Sequence, residues 1–78
     1  MKRVSHVKGR YSYQIVLRPE SEGGYTVTVP SLPGCITYGR TVEEANRMAE
    51  DAVRGYLQSL RKDGERIPTE DRRRLHYR

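Results

Sequence analysis

The side chains best suited to acid–base, metal or thiol chemistry in this 78-residue chain are two histidines, one cysteine and ten carboxylates. A ribonuclease built on histidine would use His6 and His76, yet both lie in basic terminal stretches, and the order of residues shows no recognisable catalytic pairing around either. Cys35 follows Gly34 and has no base near it in sequence, so it reads as a small buried strand residue rather than a nucleophile. Two-metal hydrolysis needs paired carboxylates on strands. Here Glu43, Glu44, Glu50 and Asp51 fall on one helical stretch, and Glu20 and Glu22 fall in a turn. Gly23-Gly24 precedes a strand and not a helix, which excludes a phosphate-cradling loop of the dinucleotide or P-loop kind. The residues therefore predict no enzyme, no metal and no cofactor. Glu43 and Glu44 suit the helix dipole and Glu20 and Glu22 a solvated turn, while Arg72-Arg73-Arg74 reads either as a solvated tail or as phosphate contacts.

The elements that must carry these groups follow from periodicity. Tyr11, Tyr13, Ile15 and Leu17 alternate with Ser12, Gln14, Val16 and Arg18, which predicts a strand with one apolar face. The segment PESEGG (19–24) then predicts a hairpin turn. Tyr25, Val27 and Val29 form the apolar face of a second strand, and CITYG (35–39) a shorter third. Between them lies VPSLPGC (29–35), where two prolines fix φ and Gly34 permits a sharp change of direction. So stiff a connection either seals the sheet or presents Leu32 to a partner. Thr41 with Glu44 is a capping-box pattern. Val42, Ala45, Met48, Ala49, Ala52, Val53, Tyr56, Leu57 and Leu60 then recur at three and four, predicting a helix of about 20 residues with one apolar stripe. Gly64 and Pro68 end it. The segment RRRLHYR (72–78) reads either as a fourth strand or as a tail. The expected fold is α+β: a small antiparallel sheet of three to four strands with one long helix packed on one face.

Charge is segregated along the chain. Residues 1–10 carry Lys2, Arg3, Lys8 and Arg10, and residues 72–78 carry Arg72, Arg73, Arg74 and Arg78, with no acid in either stretch. Residues 11–71 hold seven basic and ten acidic side chains. A mildly acidic body thus has two basic tails, and Lys2, Arg3, Arg72, Arg73 and Arg74 are the candidate nucleic-acid contacts. No Trp or Phe is present, and a single cysteine cannot form an internal disulfide. A domain so small and so sparsely apolar is expected to associate as a homodimer or tetramer. Neither an 18-residue apolar run nor a signal-peptide core appears, so the chain is expected in the cytoplasm.

Residues 23–68, GGYTVTVPSLPGCITYGRTVEEANRMAEDAVRGYLQSLRKDGERIP, closely resemble the N-terminal domain of HicB-family antitoxins. The residues carrying the resemblance are Val29-Pro30, Leu32-Pro33-Gly34-Cys35, Gly39-Arg40-Thr41 and Glu43-Glu44-Ala45, followed by Tyr56-Leu57, Gly64 and Ile67-Pro68. The similarity spans about Tyr11 to Pro68. Arg40 departs from the Asp often found there in the family. Only ten residues follow Pro68, too few for the C-terminal DNA-binding module of full-length HicB proteins. The resemblance therefore implies a short, stand-alone HicB-like domain over residues 1–78, with a basic N-terminal tail (1–10) and a C-terminal strand or tail (69–78). It implies a partial RNase H-like β-β-β-α-β fold in which residues 72–77 form the last strand. It also implies a bacterial antitoxin that binds and sterically inhibits a small basic HicA-type mRNA-cleaving toxin. Glu20, Glu22, Leu32, Glu43 and Glu44 are the candidate partner contacts. The alternatives are a nucleic-acid-binding accessory protein acting through its tails, or an orphan HicB-like protein with another binding role.

Overall fold

The computed structural model describes residues 3–7 and 12–69. Four strands, β1 (Arg3–Val7), β2 (Tyr13–Pro19), β3 (Tyr25–Thr28) and β4 (Ile36–Gly39), form one sheet in the order β1-β2-β3-β4. Every neighbouring pair is antiparallel. One helix, α1 (Val42–Lys62), follows. The architecture is the expected α+β arrangement, with its helix on one face of the sheet.

Alternation decides which face the helix covers. Tyr13, Ile15 and Leu17 of β2 and Val27 of β3 are buried, together with Val29 just beyond β3. Ala45, Ala49, Val53 and Leu57 of α1 are buried on the same cluster. Met48 departs from the expected stripe: it stays 38% exposed, at the border of the buried face. The helix approaches β4 closely because Gly39 has no side chain. A Cβ there would lie 2.4 Å from the Ala45 backbone. Small residues on both elements thus set the spacing at the start of α1.

The ends of α1 are built as its sequence predicts. The Thr41 Oγ1 accepts the Glu44 N–H at 3.0 Å, satisfying one of the helix's unpaired donors. Glu44 Oε1 reaches back one residue further than in a standard capping box and accepts the Arg40 N–H at 2.7 Å. At the other end Gly64 adopts φ +72°, and the Glu65 N–H returns to the Leu60 carbonyl at 2.9 Å.

The N-terminus corrects the expectation of a tail over residues 1–10. Arg3–Val7 is a strand, in register with Leu17–Tyr13 of β2. Its five residues, RVSHV, have no clean apolar alternation, and the lysines and arginines around them mask the signal. What places β1 is the unpaired edge that β2 would otherwise expose. The fourth strand of the sheet therefore precedes the other three. The closing strand expected over residues 72–77 lies outside the described residues.

Candidate binding site

The two ends of the sheet present different chemistry. At one end β2 turns into β3 through residues 20–24. The Gly23 N–H donates to the Glu20 carbonyl at 2.9 Å, and the Glu20 N–H to the Gly24 carbonyl at 3.0 Å. Gly23 and Gly24 have φ of +104° and +80°, so the turn needs glycine at both places. The Tyr38 hydroxyl crosses from β4 and donates to the Gly23 carbonyl at 3.0 Å. Its ring fills the space that a Gly24 side chain would need. Register pairs Pro19 with Tyr25 and Tyr25 with Gly39, so this turn lies beside the β4–α1 connection. The sheet thereby gathers Glu20, Glu22, Glu43 and Glu44, which are up to 24 positions apart in sequence, at one end of the molecule.

These four acids are not equivalent. Glu22 and Glu43 are exposed, while Glu20 and Glu44 are half-buried. Glu20 Oε2 accepts the Thr26 hydroxyl at 2.6 Å, and Glu44 caps the helix start. Glu22 and Glu43 are thus the acids most open to a partner. Glu20 and Glu44 serve the fold first. Arg18 and Arg40 are exposed at the same end and dilute its negative charge.

Leu32 belongs to the opposite end, and there the structure corrects the idea that it is presented to a partner. It is fully buried. The Leu32 N–H donates to the Val29 carbonyl and the Cys35 N–H to the Leu32 carbonyl, both at 2.9 Å. The Val29 N–H closes the loop on the Cys35 carbonyl at 3.1 Å. Two stacked turns therefore drive Leu32 inward as a plug over the core. The Tyr56 hydroxyl of α1 pins the same loop by donating to the Pro33 carbonyl at 2.8 Å. The Tyr13 hydroxyl donates to the Pro68 carbonyl, so the chain beyond α1 returns to this end. In a chain without Trp or Phe, tyrosines supply core area and also fasten loops with their hydroxyls. The residue types suggested none of these three tyrosine contacts in advance, because they depend on register.

Cys35 is buried, and desolvation pushes its thiol above the ordinary range. It stays protonated near neutrality and is a poor nucleophile. His6 is exposed on β1, opposite Gln14. Among the described residues no group of three or more His, Cys, Asp or Glu side chains could hold a metal ion. No helix among them is long and apolar enough to cross a membrane. Arg3 lies on β1, in register with Leu17. Lys2, Arg72, Arg73, Arg74 and His76 lie outside the described residues.

Residues 13–75 match the family model of the HicB-like antitoxins of bacterial toxin–antitoxin systems. A UPF0150 protein of Thermoplasma acidophilum is 41% identical over 59 residues, which is 76% of this chain and 86% of that protein. A UPF0150 protein of Synechocystis is 38% identical over 61 residues, covering 78% of this chain and 77% of its own length. The protein named Antitoxin HicB of Escherichia coli K12 is 39% identical over 56 residues, 72% of this chain but only 41% of that protein. The match thus takes in most of two short relatives and less than half of the longer antitoxin.

Proposed function

This chain belongs to the HicB-like antitoxin family, and from that premise we propose that it binds a small basic HicA-type toxin and blocks the toxin's RNA-cleaving surface by covering it. The family match across the sheet and helix carries this reading. The acidic end of the sheet supports it, since Glu22 and Glu43 are exposed where a basic partner would find complementary charge. Inhibition by contact asks nothing of the chain but a rigid surface. The pinned loops and the capped helix supply that.

The basic residues of the two termini favour a second role beside this one, contact of Lys2, Arg3, Arg72, Arg73 and Arg74 with nucleic acid. One experiment tests both. The chain is titrated into a purified HicA-type toxin and, separately, into RNA, over a range of salt. Toxin binding with loss of RNA cleavage is expected, and its affinity should fall only modestly with salt. Any phosphate contact should fall with log salt at about 0.9 per phosphate at most. Absence of a toxin complex at micromolar concentrations, with RNA still bound, would replace the first reading by the second.

A further inference from the structure

We propose that two copies of this chain pair through β4, antiparallel and centred on Thr37, to make one continuous sheet. Such pairing is independent of toxin binding. Among the described residues the sheet has two edges, β1 and β4. β1 contains Arg3 and is flanked in sequence by Lys2 and Lys8, charges that discourage a foreign strand from adding on. β4 is Ile-Thr-Tyr-Gly, with no charge and no proline. Its first three residues are of types that favour pairing. Of the four large hydrophobic residues that are exposed among the described ones, two are on this strand: Ile36 at 62% and Tyr38 at 48%.

The ladder fixes which backbone groups are open. The Val29 N–H donates to the Cys35 carbonyl, which marks that pair as a closely bonded one. Bonded and non-bonded pairs alternate along an antiparallel ladder. Val27–Thr37 and Tyr25–Gly39 are therefore bonded, and Thr28–Ile36 and Thr26–Tyr38 are not. The N–H and C=O of Ile36 and of Tyr38 point away from β3, off the free edge. A two-fold axis through Thr37 sets Ile36 opposite Tyr38 of the second copy, and Tyr38 opposite its Ile36. All outward N–H and C=O groups of these residues are then matched, giving about four backbone hydrogen bonds by the alternation of the ladder. The side chains agree: two facing pairs form on the outer face, each setting the β-branched residue of one copy against the aromatic residue of the other, a favourable combination. Arg40 of one copy falls opposite Gly34 of the other, so no like charges meet. The row Val4–Val16–Thr28–Ile36 on the outer face would run on into the second sheet. A short, self-complementary interface of this kind is isologous and closes at two.

The full chain is measured by sedimentation velocity from low to high micromolar concentration, with a dimer expected. Ile36→Pro removes an outward N–H and leaves the bonds to β3 in place, so about 30-fold weaker dimerisation is expected from the two lost bonds. Thr37→Cys in a Cys35→Ser background gives a second readout. The facing Cα atoms at the axis would be about 4.5 Å apart, within disulfide reach. A covalent dimer should form under mild oxidation, while Thr28→Cys in the same background stays unlinked. A chain that remains monomeric at high micromolar concentration overturns the proposal, whether its β4 edge is used by a foreign protein or by its own residues 70–78. So does a dimer that neither weakens in Ile36→Pro nor links through Thr37→Cys. If Ile36→Pro fails to fold, the Thr37→Cys link alone decides.

Discussion

At one end of the sheet, residues 29–35 turn the chain with two prolines and a glycine and bury Val29, Leu32 and Cys35. At the other, residues 20–24 turn it with two glycines and bury no side chain at all. The backbone tasks are alike, since each loop joins two antiparallel neighbours and each is fastened by a tyrosine hydroxyl from another element. The difference lies in the side chains between the turn residues. An apolar leucine at the centre of one loop finds the open end of the core. Ser21 and Glu22 in the other find water, and Glu20 turns back to the Thr26 hydroxyl. Rigidity and surface chemistry are thus separated to opposite ends of one small domain, and α1 runs from the polar end to the plugged one.

The largest expected effect is at the plug. Leu32→Ala removes a fully buried side chain from a core that has eleven buried hydrophobic residues among the described ones. Truncations of this kind cost about 2–5 kcal/mol. Against a total of about 5–15 kcal/mol for a domain, that should lower the denaturation midpoint steeply. A melt indistinguishable from the parent's would place Leu32 outside the core and undo the comparison. Tyr56→Phe acts on the same loop more gently. It removes one hydrogen bond to the Pro33 carbonyl, which is exposed and can accept water instead, so the loss should be about 1 kcal/mol or less. Faster hydrogen exchange confined to residues 29–35 would show that the hydroxyl fastens the loop.

How much of this could be read in advance follows from the kind of signal each feature leaves. The helix was legible almost to the residue, because Thr41, Glu44 and Gly64 mark its ends and its apolar stripe repeats over 21 residues. β2, β3 and β4 were legible from alternation and turn residues. β1 was not, since RVSHV shows no apolar period and owes its place to β2. Leu32 could be read either way. An isolated leucine between prolines looks the same whether it points in or out, and only the two turns around it decide. The acidic end was legible as four residues but not as a group, because their proximity comes from the pairing of Tyr25 with Gly39. The tyrosine contacts left no trace in periodicity.

The smallest expected effect on stability is at the polar end, and it tests whether that end is free to serve binding. Glu20→Gln with Glu22→Gln keeps size and polarity and removes two negative charges. The amide introduced by Glu20→Gln retains an oxygen that can accept the Thr26 hydroxyl, and Glu22 is exposed. Surface changes of this sort usually stay within about 0.5 kcal/mol. The melt should therefore be unchanged, in contrast to Leu32→Ala. Toxin binding should nonetheless weaken several-fold, mostly through a slower association rate, and lose part of its salt dependence, because rim charges steer a basic partner more than they hold it. Extending the change to Glu43→Gln should deepen the loss without touching the helix start, where Glu44 and Thr41 do the capping. Two results would break the separation of roles. A marked fall in stability would mean that the negative charge of the turn acids, and not only the oxygen Glu20 offers to Thr26, holds the hairpin. Unchanged affinity in a folded triple variant would move the partner surface away from this end, toward the outer face of the sheet, where Val4, Ile36 and Tyr38 are exposed.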